Sequence, residues 1–191
     1  MSELHLIISG CIAKDSKSEY ALYRTCHGLL LPICLRYKTN RDDALDLLNK
    51  GFYKILMGLK SYDNSKSFEH WAKKILIHTI IDEFRKDKNH KEKFQFTDEN
   101  EELENYSSFD LNLAEFKLES RDVLTAISLL PESQKTVLNL YVFDSFTHEE
   151  IAKQLGITTI TSRWHLRNAR KQLKTKLSDL MGTKKSEQNG N

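Results

Sequence analysis

THEEIAKQLGITTITSRWHLRNARKQLKTKL occupies residues 147–177 and sets the architecture of the C-terminal half of the chain. Thr147 followed three residues later by Glu150 is a capping box that opens a helix. Ile151, Ala152 and Leu155 then recur on one helical face. Gly156 follows directly, where a helix ends in a left-handed residue that glycine adopts at little steric cost. Ile157 is placed to plug the gap beneath the turn. Thr158 can cap a second helix, expected over about residues 159–177. Ala152 is small where that second helix would cross. Two helices joined by a tight glycine turn make a helix-turn-helix.

The second helix carries the chemistry of a duplex-DNA reader. Arg163, Arg167, Arg170, Lys171, Lys174 and Lys176 are basic, and no acidic residue lies between Ile151 and Ser178. Its first turn offers the hydroxyls of Thr158, Thr159, Thr161 and Ser162 beside a helix N-terminus, which favours phosphate. Arg163, His165 and Arg167 are expected to reach further into the groove, where arginine pairs bidentately with guanine. The competing reading is a solvated basic face on an unrelated bundle.

Upstream, Leu118, Val123, Leu124, Ile127 and Leu130 form an apolar stripe, Pro131 marks the next helix start, and Val137, Leu138, Leu140 and Tyr141 form another stripe. The N-terminal half reads the same way. Ala44, Leu47, Leu48, Gly51, Phe52, Ile55 and Leu56 recur at helical spacing. Trp71, Ile75, Ile77, His78, Ile81 and Phe84 continue after the polar loop SYDNSKS, with Ser67 as N-cap. An earlier helix is expected over about residues 20–37, interrupted or kinked near Pro32. No segment sustains period-two alternation. Seven Gly and two Pro in 191 residues are too few for the frequent turns of an all-β fold. The expected fold is all-α, two small helical domains with a helix-turn-helix in the second.

Charge places the boundary between them. Residues 1–93 hold 17 basic and 12 acidic side chains, residues 94–120 hold 1 and 8, and residues 121–191 hold 11 and 7. The acidic segment TDENEELENYSS, residues 97–108, has almost no apolar side chains to bury and reads as a flexible linker. The expected organisation is a domain over 1–93, a linker over 94–117, a domain over 118–181 and a disordered tail over 182–191. Cys11, Cys26 and Cys34 make no disulfide framework and no CxxC, which indicates a reducing compartment. Ile8-Ser9-Gly10-Cys11 looks like a lipoprotein cleavage box, but no Lys or Arg precedes it and its apolar stretch is short. It reads instead as the start of an amphipathic helix. No apolar run approaches the ~18 residues of a membrane helix. The expected location is the cytoplasm, with no membrane insertion.

Residues 130–177 resemble region 4 of bacterial RNA polymerase sigma factors. The likeness rests on Leu130-Pro131, Glu150-Ile151-Ala152, Leu155-Gly156-Ile157, Thr161 and Asn168-Ala169-Arg170. Ile160 stands where that family usually has Gly, and Asn168 where it often has Arg. Residues 41–52, RDDALDLLNKGF, resemble the core-binding helix of region 2 through Asp43, Ala44, Asp46, Leu47 and Phe52; Asn49 replaces Gln and Lys50 replaces Glu. Phe68-Glu69-His70-Trp71 is similar to the family's FxxW, and Asp82 to Lys86 to its basic ending, while His78 sits where Asn is common. Two such regions in order, joined by an acidic linker and with nothing else, resemble the extracytoplasmic-function type.

The resemblance implies three tasks. Asp43, Asp46, Asn49 and Phe52 would meet the polymerase core. Tyr62, Lys66, Phe68, Trp71, Lys74, Arg85 and Lys86 would hold the opened −10 strand, which needs aromatic surfaces and cations. Thr158, Thr159, Thr161, Ser162, Arg163, His165, Arg167, Arg170 and Lys171 would read the −35 element. The partners implied are RNA polymerase core, promoter DNA and an anti-sigma factor. No cofactor, metal, small-molecule substrate or enzymatic activity is expected. Two rivals remain open at this point. One is a dimeric helix-turn-helix regulator. The other is an enzyme with a metal cluster of His70, His78, Asp82 and Glu83.

Overall fold

The computed structural model describes residues 3–90 and 120–188, and the expected acidic linker therefore lies outside the described residues. Every element among the described residues is helical. The chain divides into two compact units, Met1–Phe84 and Arg85–Asn191. No helix among the described residues is long and apolar enough to cross a membrane.

The first unit is built on α1 (Glu3–Ile12), α2 (Ser16–Tyr37), α3 (Arg41–Gly58) and the part of α4 (Phe68–His90) up to Phe84, with a 3-10 turn, Leu59–Ser61, after α3. The segment that mimics a lipoprotein box is the helical α1, and Cys11 is buried. Asp15 caps α2 by accepting from the backbone N–H and the hydroxyl of Ser18, at 2.9 and 2.7 Å. These bonds hold the Asp15 carboxyl below its usual range. Contrary to the expected interruption, α2 runs unbroken through Pro32. Proline removes the bond to the carbonyl four residues back, which here is Gly28. Both residues lie on the exposed side of the helix, so water can replace the lost bond.

Leu22, Leu30, Leu47, Leu48, Ile55, Leu76 and Ile81 are fully buried and form the core of this unit. The apolar stripe of α3 faces it as its spacing predicts, except that Phe52 and Leu56 are only half-buried at the edge. α3 and α4 meet closely at Gly51, where a Cβ would lie 2.8 Å from Cδ1 of Leu76. Ion pairs from α4 reinforce the packing. Lys54 reaches Asp82 at 2.9 Å, and Glu83 accepts from Lys50 at 2.5 Å and Lys38 at 3.2 Å.

The second unit comprises α5 (Ser120–Ser128), α6 (Glu132–Val142), α7 (His148–Leu155) and α8 (Thr159–Gln188). Pro131 takes the N-cap of α6, one residue before the helix proper. Ala126, Ile127, Leu130, Val137, Leu138, Leu140, Ile151, Leu155, Leu166, Ala169, Leu173 and Leu177 are buried together. Three residues of the expected stripes depart from it: Leu124 and Tyr141 are exposed and Val123 is half-buried; Leu118 lies outside the described residues. The backbone of α8 stays helical to Gln188 instead of ending near Leu177. Residues 178–188 contain no proline, and six of the eleven are Leu, Met, Lys, Glu or Gln, good helix formers that outnumber the single Gly182.

Candidate nucleic-acid interface

The helix-turn-helix forms by the local rules read from its sequence. Thr147 accepts from the N–H of Glu150, and the Glu150 side chain accepts back from the N–H of Thr147, completing the capping box. These bonds lower the Glu150 pKa below the usual carboxylate range. Gly156 ends α7 with φ 62° and ψ 44°, and Ile157 N–H returns to the Ala152 carbonyl at 3.1 Å. Thr158 caps α8 through the N–H of Thr161 at 3.0 Å.

α8 has two distinct faces. Ser162, His165, Leu166, Ala169, Leu173 and Leu177 are buried. Arg163, Trp164, Arg167, Lys171 and Lys174 are exposed, and Ile160 precedes them on the same stripe. At ~100° per residue, positions 160, 163, 164, 167, 171 and 174 fall within roughly a third of the helix circumference. The buried stripe occupies the opposite side.

This division corrects several expected roles. Ser162 is 0% exposed, and its hydroxyl shares a 2.9 Å hydrogen bond with Nδ1 of His148. His165 is 5% exposed, and burial pushes its pKa down to about 4. Both side chains point into the domain and are removed from the DNA-facing set. The Thr158 and Thr161 hydroxyls lie 2.8 Å apart and close the cap, so they serve the helix start first. Arg170 is half-buried, with its guanidinium over the Tyr141 ring at 5.9 Å. Arg163, Arg167 and Lys171 lie on the exposed face, and Thr159 is partly exposed at its edge.

Beneath that face lies a group the sequence reading missed. The rings of His148 and Tyr141 stack at 4.5 Å, and His148 carries the bond to Ser162. Burial lowers the His148 pKa, with Arg163 and Arg170 adding to the effect, which favours the neutral ring. His148 follows directly after the N-cap, and its spacing from Ser162 carries no local signal.

The aromatic residues of the first unit are also more structural than expected. Tyr62, Phe68 and Trp71 form one cluster, with ring centroids 4.9 to 5.7 Å apart. Phe68 is buried, which removes it as a platform for a nucleic-acid base. Trp71 is half-buried and lies over Gly58, where a Cβ would come within 3.2 Å of its ring. The Tyr62 hydroxyl donates to the Lys66 carbonyl, and Asp63 accepts from the N–H and hydroxyl of Ser65. These bonds give the loop after α3 a defined shape. Tyr62 and Trp71 are half-buried, and Lys66, Lys74, Arg85 and Lys86 are exposed.

On α3, Asp43, Asp46 and Asn49 are exposed along one edge. They are not equivalent. Asn40 caps the helix by accepting from Asp43 N–H, and its amide donates to the Asp43 carboxylate, both at 2.8 Å. Asp43 is therefore part of the cap, whereas Asp46 makes no such tie among the described residues. Asn49 accepts from the Tyr23 hydroxyl at 3.2 Å, and the Tyr23 ring meets Phe52 edge-on at 5.1 Å. Tyr23, on α2, thus braces two expected interface residues.

Comparison with known proteins identifies what carries these surfaces. Residues 22–90 match the family Sigma-70 region 2, and residues 120–173 match Sigma-70, region 4. The chain is 30% identical over 169 residues to RNA polymerase sigma factor YlaC of Bacillus subtilis, covering 86% of this chain and 95% of that protein. The chain belongs to the sigma-70 family of RNA polymerase sigma factors, as one of the extracytoplasmic-function type. It is also 29% identical over 150 residues to RNA polymerase sigma factor SigV of Bacillus subtilis, covering 76% of this chain and 82% of that protein. Among solved structures it is similar to the sigma factor RpoE of Bartonella quintana, described in complex with the anti-sigma factor NepR. That likeness has a TM-score of 0.48 and 19% identity, covering 86% of this chain and 98% of that one.

As a sigma factor, the protein directs promoter recognition and transcription initiation by RNA polymerase and is not an enzyme. Family membership sets aside the dimeric-regulator reading. Among the described residues no group of three or more His, Cys, Asp or Glu side chains is placed to hold a metal ion, and Asp82 and Glu83 pair instead with Lys54, Lys50 and Lys38.

Proposed function

We propose that the sigma factor divides initiation between its two units, with residues 1–93 docking on the polymerase core and holding the opened −10 strand. The domain over 118–181 reads the −35 element, and the segment over 94–117 spans the distance between them. Asp46 leads the contact with core, flanked by Asn49 and Phe52 as Tyr23 sets them. Asp43 contributes charge while it holds the Asn40 cap of α3 in place. Tyr62 and Trp71 offer ring edges to the single strand, and Lys66, Lys74, Arg85 and Lys86 neutralise its backbone. Arg163, Arg167 and Lys171 enter the major groove, with Thr159 at the N-terminal edge. The same reading places the protein in the cytoplasm and gives it an anti-sigma factor as a regulatory partner.

The observation that carries this reading is the sorting of α8, whose basic side chains share one exposed stripe while its apolar residues fill the core. Duplex DNA binding measured by fluorescence anisotropy across a salt series tests it. If Arg163, Arg167, Lys171 and Lys174 each neutralise a phosphate or groove site, the log–log salt slope is roughly −3 to −4. Replacing Arg163 and Arg167 with Ala should weaken binding, and should shallow the slope by about 1 for each of the two that also neutralises a phosphate. A flat response in the unmodified protein would remove α8 from the DNA.

A further inference from the structure

The exposed stripe of α8 contains two side chains that basic recognition does not explain. Ile160 is 65% exposed and Trp164 is 48% exposed, in the first two turns of the helix. They are four residues apart and therefore on one face. The Trp164 and His165 rings meet T-shaped with centroids 5.0 Å apart, and Trp164 stays exposed. Burial within the domain gives neither residue its purpose. Helix propensity does not either, because both Ile and Trp rank well below Ala and Leu.

We propose that Ile160 and Trp164 read the C5-methyl groups of thymine in the major groove, making A·T pairs specificity-determining within the upstream promoter element. This rests on the reading that α8 faces the −35 element, and it adds which bases are recognised and by what contact. Charge complementarity selects the occupant. Arg163 lies between the two apolar side chains in sequence, and Arg167 and Lys171 continue their stripe, so a polyanion must be able to approach this face. On a polyanionic duplex, the thymine methyl is the apolar group that the major groove displays. Residues near the N-terminus of a recognition helix are those that reach base edges. Four residues span ~6 Å of helix axis, close to two base-pair steps of ~3.4 Å. Ile160 and Trp164 therefore suit methyl groups on neighbouring or next-neighbouring pairs, with Arg163 and Arg167 placed to address guanines beside them.

The test uses holoenzyme assembled from the full chain and bacterial RNA polymerase core. A promoter duplex is first selected from a randomised pool. Each thymine of its upstream element is then replaced singly by deoxyuridine, which removes only the methyl group. The unmodified factor should lose roughly fourfold in affinity at one or two positions, the scale of one buried methyl. The variants Ile160→Ser and Trp164→Gln should be weaker on the thymine duplex, and each should lose sensitivity to deoxyuridine at its own position. Because both side chains are exposed, the variants should fold, and equal binding to core controls for this. If deoxyuridine weakens binding nowhere, or both variants keep the full response, methyl reading is overturned while base reading by the arginines stands. The same holds if the variants lose core binding instead, since the patch would then be a protein contact. If no upstream sequence is selected at all, the −35 assignment and this inference fall together.

Discussion

His165 offers a quantitative check on which side of α8 faces inward. An imidazole that titrates at about 4 in the folded chain titrates near 6.5 once unfolded. The unfolded state therefore binds the proton first as the pH falls. Stability is complete above pH 6.5 and declines as the pH drops towards the folded pKa. Between pH 7.5 and pH 5 this single group should cost the C-terminal domain about 2 kcal/mol, since each tenfold difference in proton affinity between the two states is worth ~1.4 kcal/mol. Urea unfolding at the two pH values, in the unmodified protein and in His165→Leu, isolates the effect. Other titrating groups, including His148 with its lowered pKa, contribute to both proteins and cancel in the comparison. The leucine variant should lose about 2 kcal/mol less on acidification and keep its affinity for duplex DNA at pH 7.5. Equal pH dependence in the two proteins, or an NMR titration of His165 near 6.5, would refute the inward placement.

Two further outcomes follow from particular contacts. Asp43→Ala should cost the first unit roughly 0.5–1 kcal/mol in urea unfolding, because it removes a cap partner and a favourable charge at a helix N-terminus. Asp46→Ala should stay within about 0.5 kcal/mol of the unmodified protein. Cys26 and Cys34, whose pKa values burial raises to about 12, and Cys11, raised by the same cause, should resist a disulfide exchange reagent at pH 8 in the folded chain. All three should react once urea unfolds it, as followed by thiol release.

The parts of the fold legible in the sequence are those governed by local chemistry. The Thr147 capping box, the left-handed Gly156 and the Thr158 cap each depend on residues within a few positions of one another. The core stripe of α3 was equally readable, because helical periodicity and burial coincide there. What sequence could not supply was the rotation of α8 about its axis. Ser162 and His165 look polar and available, and only the long-range packing of α8 on α6 and α7 turns them inward. Pro32 misled for a related reason, since its cost depends on which side of α2 meets water. The non-equivalence of Asp43 and Asp46 was partly visible, because Asn40 three residues before Asp43 signals a cap. Tyr23 was not, as it reaches Asn49 from a different helix, 26 positions away in sequence.

The proposed division, with core docking through α3 and upstream recognition through α8, is addressed most directly by one measurement. Affinity for RNA polymerase core should be compared for the unmodified factor, Asp46→Lys, and the pair Arg163→Ala with Arg167→Ala. Asp46→Lys reverses a charge that no helix cap requires, so it should weaken core binding sharply while leaving the fold intact. The arginine pair should bind core as the unmodified factor does. Undiminished core affinity in Asp46→Lys, or loss of core affinity in the arginine pair, would contradict it.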